Sequence, residues 1–164
     1  MNLSSLIETT RTTFDTRHAS PPLSLTEAGC CSECDALSSF LSRHSPASLE
    51  AFLLAQPVLE PGALEPSFLL TPQAFHYFLP AYLLVGLRTF LRSADTSALL
   101  EPTFALAPGA ERSERIREYR RHFSPSQVRV IVSYLSFCAS HLDVDDPRRA
   151  ALAHALNAIW SPGA

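Results

Sequence analysis

The sequence predicts an all-α protein, a compact single-domain bundle of about six helices with its central helix at about 125–142. Two observations lead there. A helix-capping residue stands directly before a proline at Ser45-Pro46, Thr71-Pro72, Ser124-Pro125 and Asp146-Pro147. Such a side chain accepts from the unpaired N–H groups of a first helical turn, and a proline there has no N–H to leave unpaired. After each pair, apolar residues recur three and four apart, the spacing that lines one side of a helix.

Leu3, Leu6, Ile7 and Phe14 form the stripe of a first helix, whose other positions are polar and place it on the surface. Ser20-Pro21-Pro22 ends that region as a loop. A second helix begins near Cys31 or Ser32, where Ser32-x-x-Asp35 approximates a capping pattern. It puts Cys34, Leu37 and Leu41 on one face, with Phe40 and His44 beside them. A short third helix follows Pro46, turns Leu49, Phe52 and Leu53 inward and stops before Pro57. Residues 56–70, with Pro57, Pro61, Gly62 and Pro66, read as a connecting loop, and residues 93–110 as a second one.

Between those connections, Leu70 and Phe75 flank the Thr71 cap as a hydrophobic staple and open an apolar helix. Pro80 within it removes one backbone bond and clashes with the carbonyl of His76, which predicts a kink. The stretch Ala74 to Leu87 is shorter than the roughly 20 residues that span a bilayer, so it reads as a core helix. Residues 112–122 form an amphipathic segment with Ile116, Tyr119 and Phe123 on one side. The next start combines a staple, Phe123 with Val128, and a capping box, Ser124 with Gln127. Beyond it Val128, Ile131, Val132, Leu135, Cys138 and Leu142 make one stripe, and Val130, Tyr134, Phe137 and His141 another. A helix apolar over most of its circumference is expected at the hub. The last helix starts at Pro147 and turns Leu152, Leu156 and Ile159 inward, with Trp160 nearby. One helical domain spans residues 1–164.

Composition bounds the function. The 164 residues, 46% hydrophobic and 18% charged, are those of an ordinary globular chain with enough surface to bury for a real core. A net charge of −3 makes no electrostatic case for nucleic acid. All 13 cations are arginine, a bias read as codon usage in a GC-rich genome, and a Schiff-base lysine is excluded. The N-terminus has no basic region or long apolar run, so no secretory signal is expected. Four cysteines, two of them adjacent, do not resemble a secreted disulfide framework, and a cytoplasmic location is the expectation. Neither G-x-S-x-G, H-E-x-x-H nor a glycine-rich phosphate loop occurs.

The cysteines carry what chemistry there is. Cys31 and Cys34 have the C-x2-C spacing at which two thiolates reach one zinc ion, and Cys138 and His141 share a helix face downstream. Together these four make a candidate Cys3His site joining the second helix to the central one, with Cys30 as an alternative ligand. Against it, Cys34 and Cys138 lie on apolar stripes, where a thiol behaves as a small buried hydrophobe, and this is the preferred reading. A redox reading places Cys31 at a helix N-terminus, which favours its thiolate, with Cys34 one turn on as the resolving thiol. A third reading makes Cys31 a nucleophile with His18, His44 or His141 as base. Arg112, Arg115, Arg117, Arg120, Arg121 and His122 are interleaved with Glu111, Glu114 and Glu118, the pattern of a solvated face. His76, beside Tyr77, reads as a hydrogen-bonded boundary residue, and Asp143, Asp145 and Asp146 as a turn and a helix cap.

Cys31-Ser32-Glu33-Cys34, the run Leu70-Thr71-Pro72-Gln73-Ala74-Phe75-His76-Tyr77-Phe78-Leu79-Pro80-Ala81-Tyr82-Leu83, Phe123-Ser124-Pro125-Ser126-Gln127 and Trp160 carry a resemblance. The chain resembles a family of small uncharacterised bacterial proteins, a domain of unknown function with a C-x-E-C element and an L-T-P-x-A-F-x-Y-x-L-P-A-Y-L stretch. The resemblance implies a bacterial origin and a histidine just before the C-x-E-C element, where this chain has Cys30. It implies no activity. The functional expectation is a non-catalytic protein that binds another protein, of accessory or immunity type. The alternative is a metal-binding or thiol-redox protein using Cys30, Cys31 and Cys34. No cofactor is expected, zinc being the one candidate, and neither nucleic acid nor membrane is expected as a partner.

Overall fold

Local capping chemistry places the helices. In a computed structural model, residues 2–15, 19–27, 31–56, 69–108 and 113–161 are described. They form α1 (Leu3–Thr13), α2 (Ser32–Leu41), α3 (Pro46–Ala55), α4 (Pro72–Ser93), α5 (Thr96–Leu100), α6 (Thr103–Leu106), α7 (Ser113–Arg120), α8 (Pro125–Ser140) and α9 (Arg148–His154). A π-helical turn, Ala155–Ile159, continues α9. Among the described residues the one β-type pairing is an isolated antiparallel bridge between Thr26 and Leu70. The fold is therefore all-helical and a compact single domain.

Ser45, Thr71 and Ser124 each cap a helix whose next residue is proline, accepting from the backbone N–H of Ser48, Ala74 and Gln127 respectively. At Asp146-Pro147 the helix begins one residue later, yet the Asp146 carboxylate still accepts from the Arg148 N–H at 2.9 Å. The helix set exceeds the expected six because residues 93–110 are more than a connection. Asp95 accepts from Ser97 N–H at 2.8 Å to start α5, and α6 follows within three residues. Helices of five and four residues are too short to show periodicity in a sequence. The other expected connection falls, from residue 57 to 68, outside the described residues.

The hub also differs from expectation. The most enclosed helix is α4, buried from Tyr77 through Leu87 on every side, with α1, α3, α5 and α7 packed against it. α8 packs against α1, α9 and the π-turn. Ile131 and Leu135 of α8 are fully buried as expected, but Arg129, Ser136 and Ser140 keep one side in water. α4 runs through Pro80 without a break in its helical span. It is long and apolar enough to cross a membrane by composition, and 72% of that apolar window is buried against the rest of the protein.

Three buried aromatic side chains tie Leu70 and the short helices α5 and α6 to this core. Tyr119 Oη donates to the Leu70 carbonyl at 2.5 Å, Tyr134 Oη to the Leu99 carbonyl at 2.5 Å, and Trp160 Nε1 to the Leu106 carbonyl at 2.8 Å. Each satisfies a buried polar tip and a carbonyl in one bond. Gly86 of α4 lets the Leu99 junction form. A Cβ there would stand 2.9 Å from both the Ala98 carbonyl oxygen and Tyr134 Oη.

Candidate functional site

The chain enters α2 through Cys31 in an extended conformation (φ −170°, ψ 171°), and the first intrahelical bond runs from Asp35 N–H to the Cys31 carbonyl at 3.2 Å. Cys31 thus occupies the capping position, where its side chain makes no capping bond. Cys34, three residues on, lies over it one turn up. The Cys31 thiol donates to Cys34 Sγ at 3.5 Å. Cys31 is exposed and Cys34 is buried. An accessible thiol and a sheltered one therefore face each other across about 1.5 Å more than a disulfide bond length. Both thiols sit at the positive end of the helix macrodipole, while Glu33 and Asp35 add two exposed carboxylates in the same turn.

The other proposed ligands stand elsewhere. Cys138 is fully buried on α8 and donates to the Leu99 carbonyl at 3.6 Å. Burial pushes its thiol up to about 12 from an ordinary 9.0. His141 lies at the exposed C-terminal end of α8, with Nδ1 2.8 Å from the Phe137 carbonyl and its ring against Phe137 and Phe90. Among the described residues no group of three or more His, Cys, Asp or Glu side chains is placed to hold a metal ion. Cys30, the alternative ligand, and His18, a suggested base, lie outside the described residues.

His44 packs against the rings of Phe40 and Phe52 at 4.9 and 5.3 Å. Phe52, expected inside, is 42% exposed, because Leu49 and Leu53 fill the inward face of α3. Half-buried His76 sits 3.2 Å from Gln127 Oε1 with its ring on Phe123, a boundary role. In the arginine-rich segment, Arg115 pairs with Glu27 at 3.6 Å and donates to Tyr119 Oη at 2.8 Å, and Arg120 donates to the Ser161 carbonyl at 2.6 Å. Arg115, Arg117 and Arg121 are exposed, as a solvated face requires, and Arg120 is half-buried. Asp146, just ahead of the Pro147 cap, accepts from the first N–H of α9, and its bonds to Arg148 hold its carboxyl down at about 2.

One feature had no sequence signal. A cleft of about 460 Å³ opens between α1, α3 and α4, lined by Glu8, Arg11, Phe14, Glu50, Pro80 and Leu84 among others. Glu50 in its wall binds Arg88 at 2.9 Å and Arg11 at 3.7 Å. Its residues come from three helices far apart in the chain, so no local pattern announces it.

Comparison with known families matches residues 2–163 to the Family of unknown function (DUF6714). The chain belongs to this family. No curated protein and no solved structure matches it.

Proposed function

We propose that this family member acts by thiol–disulfide exchange through Cys31 and Cys34. The observation that carries the reading is the 3.5 Å Sγ–Sγ separation between an exposed and a buried thiol. The Cys31 thiolate attacks one sulfur of a substrate disulfide, forming a mixed disulfide and expelling a thiolate. Cys34, losing its proton, then attacks Cys31 Sγ, closes the Cys31–Cys34 bond and expels the second thiolate. Both leaving thiolates take up protons, so two protein thiols are oxidised and one disulfide is reduced to two thiols. The exposed sulfur serves as attacking group, because a substrate reaches it, and the buried one as resolving group. A cytoplasmic setting, as the cysteine usage suggests, would return the pair to the dithiol.

The test treats reduced protein with bis(2-hydroxyethyl) disulfide and maps the products by mass spectrometry. The expected product is an intramolecular Cys31–Cys34 bond. Cys34→Ser is expected to stall as a mixed disulfide on Cys31, and Cys31→Ser to give neither. Absence of the intramolecular bond, or stoichiometric zinc in protein purified without added metal, would overturn the assignment in favour of an inert or metal-binding cluster.

A second reading, binding of a protein partner in an accessory or immunity-type role, is supported by the aromatic surface of Phe40, His44 and Phe52. The Phe40 and Phe52 rings lie 5.6 Å apart at the α2–α3 edge, with Phe52 facing water. Phe52→Ser, at unchanged melting temperature, is expected to abolish association with a cognate partner if that surface is used.

A further inference from the structure

We infer, resting on the dithiol reading above, that Cys31 and Cys34 select cationic disulfides over anionic ones. The selectivity arises from what surrounds the exposed sulfur. Glu33 and Asp35, both exposed, lie two and four residues beyond Cys31, within about one helical turn of it. Their place in the first turn puts both carboxylates near the attacking sulfur, on the scale of the roughly 10 Å over which charges act at moderate salt. The opposing positive end of α2 amounts to about half a unit charge, against two formal negative ones.

No cation on the same helix offsets them. Residues 28–32 bear no charge in the sequence, and α2 contains no arginine. Arg43 lies beyond the far end of α2, with its guanidinium 3.4 Å from Ser39 Oγ. Glu27, the nearest charged residue before Cys31 in the chain, is matched by Arg115 at 3.6 Å, so that pair adds no net charge. A disulfide bearing ammonium groups next to its sulfurs is drawn to this turn, and one bearing carboxylates is repelled. In water, a unit charge some 7 Å from each carboxylate changes the encounter by several-fold per pair, attractive for one substrate and repulsive for the other.

The experiment measures second-order rates of reduced protein with cystamine (dicationic), bis(2-hydroxyethyl) disulfide (neutral) and glutathione disulfide (anionic). Each rate is divided by that of N-acetylcysteine amide with the same compound, which removes intrinsic differences in leaving group. At about 10 mM ionic strength the normalised cystamine to glutathione disulfide ratio is expected on the order of 10 or more. At about 1 M salt, where the screening length is near 3 Å, it is expected to approach unity. The double variant Glu33→Gln/Asp35→Asn is expected to bring the normalised cystamine to glutathione disulfide ratio close to unity, a comparison from which any change in the Cys31 thiolate fraction cancels. Failure of the neutral compound to oxidise the pair would sink the dithiol reading itself. Reaction with the neutral compound but a ratio near or below unity, insensitivity to salt, or a ratio unchanged in the variant would overturn only the charge selectivity.

Discussion

Cys138 and the Cys31–Cys34 pair are the same chemistry in opposite settings. Cys138 is fully buried on α8, spends its proton on the Leu99 carbonyl of α5 and has its ionisation pushed to about 12 by burial. Cys31 stands at the start of α2, exposed, with a second sulfur 3.5 Å away. The difference teaches that burial around a thiol, more than its place in a spacing pattern, decides whether it is sealed in the core or open to reagents. In one region the environment suppresses ionisation; in the other it sets a second sulfur alongside.

The contrast breaks first if the buried region tolerates damage. Trp160→Ala deletes a fully buried ring and strands the Leu106 carbonyl, so a loss of about 3–5 kcal/mol is expected in urea denaturation. Gly86→Ala forces a methyl to within 2.9 Å of the Ala98 carbonyl, a backbone atom that cannot swing away; a loss of about 1–3 kcal/mol should follow. A midpoint unchanged in Trp160→Ala would mean the core around Leu106 and Phe123 is looser than its contacts imply, and one unchanged in Gly86→Ala would mean the same of the junction of α4, α5 and α8.

Alkaline titration sharpens the comparison. The unfolded thiol at position 138 releases its proton near 9, whereas the folded one holds it to about 12. Above pH 9 the unfolded state binds fewer protons, so stability falls as pH rises, by up to about 1.4 kcal/mol per unit, and is fully present below that range. Tyr134 and Tyr82, both raised by burial, add to the same decline at higher pH. Chemical denaturation of Cys138→Ala between pH 8 and 11 is expected to show a shallower slope than the parent chain. An identical slope would remove Cys138 from the alkaline transition.

The smallest stability effect belongs to the exposed end. Cys31→Ser should change stability by no more than about 0.5 kcal/mol. Iodoacetamide at pH 8 should modify Cys31 in the folded protein while Cys138, of which only about one part in 10⁴ is thiolate, reacts on unfolding. Equal labelling of the two would erase the distinction.

Helix starts were legible because they depend on neighbours within three residues. Ser45, Thr71 and Ser124 each bond an N–H three positions on, and that information lies wholly in the local chain. Pairing of Cys31 with Cys34 was legible for the same reason, since the two are one turn apart. The proposed link to Cys138 and His141 depended on how α2 and α8 sit, which no spacing records. Phe52 and the cleft beside Pro80 escaped for the same cause: one side of a short helix, and a gap among three helices, are set by what packs against them.

Local sequence chemistry was thus sufficient to specify all-helical structure, most helix boundaries and a dithiol at the mouth of α2. Packing alone settled that α4 rather than α8 is the most enclosed helix and that Cys31 is open, whereas the burial of Cys34 and Cys138 was already readable from their apolar stripes. Capping is a short-range bond between groups already tethered together. Burial depends on shape complementarity between distant segments, as where Gly86 admits the Ala98 carbonyl and the Tyr134 hydroxyl, and it exists only once those segments meet.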